Sequence, residues 1–145
     1  MQVIREICTD DIPQLVALIS GDASAHSWGQ KDFESALNSE NQICYLMENT
    51  GFILLQKVLD EAEIIMIWIS PTMRGMGHGV KLLEYAINEL QKHGIKNLFL
   101  EVAENNQNAI KLYQKSGFIE IGRRKDYYKT DDNCLIDAIT MNLNC

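Results

Sequence analysis

Residues Ile64-Ile65-Met66-Ile67-Trp68-Ile69 are the longest purely apolar run of the chain, and Gly75, Gly77 and Gly79 follow before a helical stripe begins at Val80. Few folds accept that order. Six apolar residues are far short of the ~20 that cross a membrane. A run without alternation instead predicts a strand covered on both faces. The turn after it, Arg74-Gly75-Met76-Gly77-His78-Gly79, points several backbone N–H groups outward. The N-terminus of the following helix adds about half a positive charge. Together these predict a seat for a diphosphate. Gly77 and Gly79 would let a ligand approach the backbone, and Arg74 would add a charged donor pair. The plainer alternative is an ordinary strand-to-helix turn.

Neither of the commoner phosphate loops is present. No Gly-Lys-Ser/Thr follows the glycines, as a Walker loop requires. A dinucleotide fingerprint needs an acidic residue after a second strand; Glu101 stands there, but the glycine spacing differs. The rest of the chain supplies a frame. Val3 to Cys8 reads as a strand. Asp10 or Asp11 caps a helix carrying Pro13 and the stripe Leu15, Leu18 and Ile19, which ends at Ser20-Gly21-Asp22. A second helix runs from about Gln30 to Leu37. Ile43 to Glu48 and Phe52 to Leu59 read as strands joined at Asn49-Thr50-Gly51, and Glu63 to Ile69 as a third. Val80, Leu83, Ile87 and Leu90, with Leu82 and Ala86, make a strong amphipathic helix stopped at Gly94. Leu98 to Val102 is a strand. Asn105 or Asn106 caps a shorter helix ending at Ser116-Gly117, and Phe118 to Gly122 and Leu135 to Leu143 close the chain as strands. The order βααβββαβαββ predicts an α/β (α+β) chain, a mixed sheet with helices on both faces. The 145 residues read as one domain, 1–145, with 46% hydrophobic and 23% charged residues, which excludes a disordered chain.

Charge narrows the partners. The net charge of −7 argues against nucleic acid, whose phosphates it would repel. Residues 1–60 hold three Lys/Arg against nine Asp/Glu, and residues 61–145 hold ten against eleven. An anionic ligand suits the second part and a cationic partner the first; a solubilising acidic surface is the plainer account. The four cysteines, Cys8, Cys44, Cys134 and Cys145, form no Cys-x-x-Cys and read as reduced and structural. His26, His78 and His93 are scattered, so no metal site and no histidine catalysis is expected. The start Met1-Gln2-Val3-Ile4-Arg5-Glu6 lacks the features of a secretory leader, which predicts a cytoplasmic protein with no membrane partner.

Arg74-Gly75-Met76-Gly77-His78-Gly79 resembles the Arg/Gln-x-x-Gly-x-Gly/Ala signature of the GCN5-related N-acetyltransferase (GNAT) family. The element order is similar over nearly the whole chain, and Leu100-Glu101-Val102, Asn105-Asn106, Ala109-Ile110-Lys111-Leu112-Tyr113 and Gly117-Phe118 resemble the second half of the family core. The resemblance implies a mostly antiparallel sheet of about seven strands. It implies acetyl-CoA as co-substrate, its pyrophosphate on Arg74, Gly75, Met76, Gly77, His78, Gly79 and Val80. It also implies a pantetheine arm along the main chain of Ile67, Trp68 and Ile69, with Asn106 and Tyr113 against the coenzyme. Arg123-Arg124-Lys125-Asp126-Tyr127-Tyr128, Asp137-Ala138-Ile139-Thr140-Met141 and Ser27-Trp28 with Phe33 resemble the branch that acetylates protein N-termini, ribosomal-protein alanine among them. Three acceptor-side positions depart from that branch: Ile136 for Glu, Lys129 for Pro and Ser27 for Pro.

Acetyl transfer to an amine needs a held coenzyme, a neutral amine, a stabilised oxyanion and a protonated leaving thiolate. Glu101 is the candidate base: it interrupts the apolar strand 98–102, where a charge is costly unless used or paired, and partial burial would lift its pKa. A surface-facing glutamate is the plainer alternative, and Glu104 a weaker candidate. Tyr113 is the candidate acid, seven residues from Asn106 and so on the same helical face; a packing tyrosine is the alternative. An α-amine has a pKa of about 7.7–8.0 and a lysine about 10.4, so neutralising the lysine costs roughly 3.5 kcal/mol more. One glutamate suits an α-amine, such as a basic protein N-terminus. Trp28, Tyr127 and Tyr128 are candidate walls of its pocket, or core packing. A small-molecule amine as acceptor, or an acyl-CoA-binding subunit without turnover, are the alternative functions.

Overall fold

The structure, a computed structural model, describes residues 3–20 and 28–145. The expected helix end at Gly21-Asp22, and Ser27, lie outside the described residues. The elements are β1 (Ile4–Glu6), α1 (Ile12–Ile19), α2 (Gln30–Leu37), β2 (Gln42–Met47), β3 (Gly51–Val58), β4 (Glu61–Ile69), α3 (His78–Lys92), β5 (Asn97–Ala103), α4 (Gln107–Lys115), β6 (Ile119–Lys129) and β7 (Leu135–Asn144). The expected order of elements is the observed one.

The seven strands form one sheet in the order β1-β2-β3-β4-β5-β7-β6, antiparallel everywhere except between β4 and β5. Parallel pairing there follows from the connection: α3 is the crossover between the two strands. Period-2 alternation divides β2 and β3 between two cores. Tyr45, Met47, Ile53 and Leu55 pack with Leu82, Leu83, Ala86 and Leu90 of α3 and with Ile110 and Tyr113 of α4. Cys44, Leu46, Phe52 and Leu54 pack on the opposite face with Leu15 and Ile19 of α1 and Phe33 of α2. Helices therefore cover both faces, as the sequence predicts.

Two expectations are corrected. β4 is not covered on both faces: Ile65 is exposed, and Met66, Ile67 and Ile69 are half-buried. The cause is that β4 pairs with β5 only over its first residues. β6 runs to Lys129 rather than Gly122. Its second half is polar and largely exposed, so it carries no apolar alternation, yet it pairs with β7 through two register shifts.

Asp11 does not cap α1 through its side chain. Its carboxylate accepts the Cys8 N–H at 2.9 Å and meets Arg5 Nη2 at 2.8 Å, while Arg5 also reaches Glu48 at 2.8 Å. One guanidinium thus ties β1 to the start of α1 and to the β2–β3 turn. The Arg5 hydrogen bond, helped by the Cys8 N–H, holds the Asp11 carboxyl well below the usual carboxylate range. A depressed folded pKa stabilises above the unfolded value and is lost as pH falls. Stability measured by urea should therefore be flat near neutrality and decline as pH falls below about 4. In Asp11→Asn that acid-side decline should be shallower; an unchanged acid limb would remove Asp11 as its source.

Candidate active site

β4 and β5 pair in register only over Glu61↔Asn97, Ala62↔Leu98 and Glu63↔Phe99. On the other side of β4, Leu55 pairs with Ile64 and Leu54 with Met66, so Ile65 is an extra, bulged residue. A bulge bends its strand and re-aims the residues beyond it. Past Ile65, β4 and β5 diverge and leave a V between Ile67–Ile69 on one side and Ala103 with the start of α4 on the other. The V opens as a cleft of about 920 Å³. A second hollow of about 440 Å³ shares Ile67, Trp68, Ala103, Asn105, Asn106 and Ala109 with it, so the two are continuous.

The glycine turn closes one end of the cleft. Gly75 and Gly77 have φ of +77° and +82°, where only glycine sits without strain, and a Cβ at either would meet nothing within 4 Å. They are therefore glycine for the backbone's sake, and their open side faces space rather than protein. Gly77 is the N-cap of α3, so the unpaired N–H groups of the first turn face the cleft, with the positive end of the helix behind them. Gly79 stands where α3 meets α4: a Cβ there would lie in van der Waals contact, 3.4 Å from Leu112 Cδ2. Arg74 Nε donates to the Ile69 carbonyl at 2.8 Å, which anchors the turn to the end of β4. His78 Nδ1 is buried beside the cleft without a hydrogen-bond partner.

Of the expected coenzyme residues, Ile67, Trp68, Ile69, Arg74, Gly75, Gly77, His78, Gly79, Val80 and Asn106 line the large cleft. Met76 and Tyr113 do not: the Met76 side chain is exposed, and Tyr113 lines the second hollow instead. Asn106 is the N-cap of α4, with Oδ1 accepting the Ala109 N–H at 3.3 Å. Lys111 and Lys115, one turn apart on α4, also line the cleft and were missed by sequence reasoning. Their i, i+4 spacing beside Leu112 was the available signal. The residues fit an elongated anionic ligand: an outward-facing N–H cradle and cations at one end, and at the other a strand whose edge lacks a neighbour.

The second hollow holds the candidate acid and base. Glu101 and Tyr113 both line it, with Tyr128 and Ile136. Glu101 lies on the β5 face opposite Leu100 and Val102, and its Oε1 is ion-paired with Arg124 Nε at 2.8 Å. Tyr113 is buried against the Phe118 ring, centroids 5.7 Å apart. Burial first, then the neighbouring Tyr128, pushes its phenol up to about 12. It stays protonated throughout the neutral range and can serve as a proton donor. Glu104 is paired with Arg123 at 3.1 Å and lines neither hollow. Tyr127 is exposed beneath Arg124, and Trp28 packs on Phe33 in the α1–α2 core, so the structure brings neither into the hollow. Among the described residues no group of three or more His, Cys, Asp or Glu side chains could hold a metal.

Residues 9–118 match the acetyltransferase (GNAT) family. The chain belongs to that family. It is 38% identical over 99% of its length to the [ribosomal protein bS18]-alanine N-acetyltransferase of Escherichia coli, covering 97% of that protein. The crystal structure of the ribosomal-protein-S18-alanine N-acetyltransferase from Escherichia coli superposes with a TM-score of 0.88, at 36% identity, over 99% of this chain and 94% of that one. A GNAT acetyltransferase from Streptococcus pneumoniae superposes with a TM-score of 0.85 at 25% identity, each chain fully covered. The protein is thus an N-acetyltransferase with the GNAT fold, and acetyl-CoA is the family's acetyl donor.

A tyrosine whose folded pKa is raised favours folding below its unfolded value near 10 and loses that contribution as pH climbs toward 12. The absorbance titration of wild type minus Tyr113→Phe should show one phenolate appearing near pH 12. Its appearance near pH 10 would mean that the hydroxyl is solvated.

Proposed function

We propose that this protein transfers the acetyl group of acetyl-CoA to the N-terminal α-amine of a protein, alanine-first and basic beyond it, as in a ribosomal protein. The observation that carries this is the meeting of Glu101 and Tyr113 in one hollow at the end of the coenzyme cleft, in a chain matching bS18-alanine N-acetyltransferases end to end. When bound, acetyl-CoA supplies an acetyl group activated as a thioester. Glu101 accepts the amine proton, through Oε2, because Oε1 is held by Arg124. Tyr113 keeps a proton at Oη for the leaving sulfur. The end of β4 offers main-chain donors toward the cleft, which explains why Ile67, Trp68 and Ile69 need no polar side chains.

Electrostatics on the acceptor side agree. A third hollow of about 300 Å³ lies beside Glu101 and is lined by Glu61, Glu63 and Phe99. Carboxylates around an apolar floor suit a cationic chain with a long aliphatic stem. Tyr128 and Ile136, both facing the second hollow, would wall the first residue of the acceptor. The working compartment on this reading is the cytoplasm, with no nucleic-acid, membrane or metal partner.

The test is CoA release with an Ala-Arg-type peptide, its N-terminally blocked form bearing a lysine, and a set of polyamines and aminoglycosides. Turnover is expected with the free N-terminus alone, and Glu101→Gln should lower kcat about 100-fold or more. Turnover with small amines but none with peptide would replace the acceptor class while leaving the coenzyme site intact.

A further inference from the structure

We infer that Arg124 is the positioning residue of the base: it holds Glu101 by one carboxylate oxygen so that the other faces the acceptor amine. The inference rests on the reading of Glu101 as base and extends it to a second strand. In the sheet order β5-β7-β6, Arg124 stands two strands away from Glu101, yet its side chain crosses β7 to reach Oε1 at 2.8 Å. Arg124 is the only cation paired with the Glu101 carboxylate among the described residues. A glutamate with three rotatable bonds and no partner would sample many poses, whereas a base must be held near one.

The guanidinium is itself fixed from behind. Its Cζ lies 5.3 Å over the Tyr127 ring, a cation–π contact. The backbone makes that possible by a register shift between Arg124 and Tyr128, where Asp126 takes φ of +55° and donates its N–H to Asp137 Oδ1 at 2.9 Å. The bulge sends Tyr127 under Arg124 and Tyr128 into the hollow with Glu101. The neighbouring arginine, Arg123, is engaged elsewhere, with Glu120 and Glu104. The Arg124 side chain is 60% exposed, and pairs so open to solvent add little to stability. The pairing therefore serves the position of Glu101 more than the fold.

The test is a double-mutant cycle over Arg124→Ala and Glu101→Gln, with Arg124→Lys as the conservative variant. It is read on whichever acceptor of the peptide and amine panel the wild type turns over fastest. Arg124→Ala should lower kcat about tenfold or more with the KM for acetyl-CoA unchanged, and Arg124→Lys should recover part of the loss. In the Glu101→Gln background, Arg124→Ala should change kcat by less than about twofold, because the two act as a unit. Losses that multiply across the cycle, or an Arg124→Ala kcat within about twofold of wild type, would overturn the inference. Unchanged turnover in Glu101→Gln alone would mark failure of the underlying reading instead. Should Arg124→Ala unfold, which melting curves would show, Arg124→Lys carries the same comparison.

Discussion

Sheet strands are held to their neighbours by rows of backbone hydrogen bonds, and here one row stops early. β4 and β5 share three residue pairs and then separate, just before the extra residue at Ile65. A parallel pair is possible at all because α3 carries the chain back across the sheet. The same crossover places the N-terminus of α3 at the mouth of the gap. One interrupted ladder therefore makes the cleft, exposes the edge of β4 within it and positions the glycine turn at its end. Were the pairing continued to Ile69, the apolar strand would be sealed and the glycine turn would face nothing.

On the far side of the gap, β5 does the opposite task with the same alternation. Leu98, Leu100 and Val102 point into the α3–α4 core, which leaves Phe99 and Glu101 on the opposite face, lining a hollow. Tyr113 enters from α4 and approaches the same hollow from the other wall. The candidate acid and the candidate base thus come from different elements, each packed against the core. Burial pushes the Tyr113 phenol up to about 12, so it keeps its proton across the neutral range, while the Glu101 carboxylate in the same hollow is ion-paired with Arg124.

Much of this was legible beforehand where a local rule was strong. The stripe of α3, the glycine turn and the element order follow from periodicity and from residues with a special backbone. Glu101 stood out because a charge inside an apolar strand is conspicuous. What escaped is tertiary. No signal in Ile64–Ile69 marks Ile65 as the bulged residue, because bulging is decided by the partners β3 and β5. The second half of β6 lacks alternation and is a strand only because β7 lies beside it. Arg124 was visible as part of a motif, but its pairing with Glu101 spans two strands and depends on the bulge at Asp126. Trp28 and Tyr127 were noticed as aromatic residues, and aromatic character alone does not tell a pocket wall from packing.

The contact between position 79 and Leu112 gives the family signature a second meaning. Gly79 belongs to the wall made by β4 and α3, and Leu112 to the wall made by α4. A methyl group at position 79 would just reach van der Waals contact with the Leu112 methyls, at 3.4 and 3.6 Å, and a longer side chain would have to displace them. Asn106 caps α4 and Tyr113 lies one residue beyond Leu112 on it. The Gly-or-Ala rule at this place then works as a gauge block: the smallest side chains leave the two walls of the slot at their present spacing.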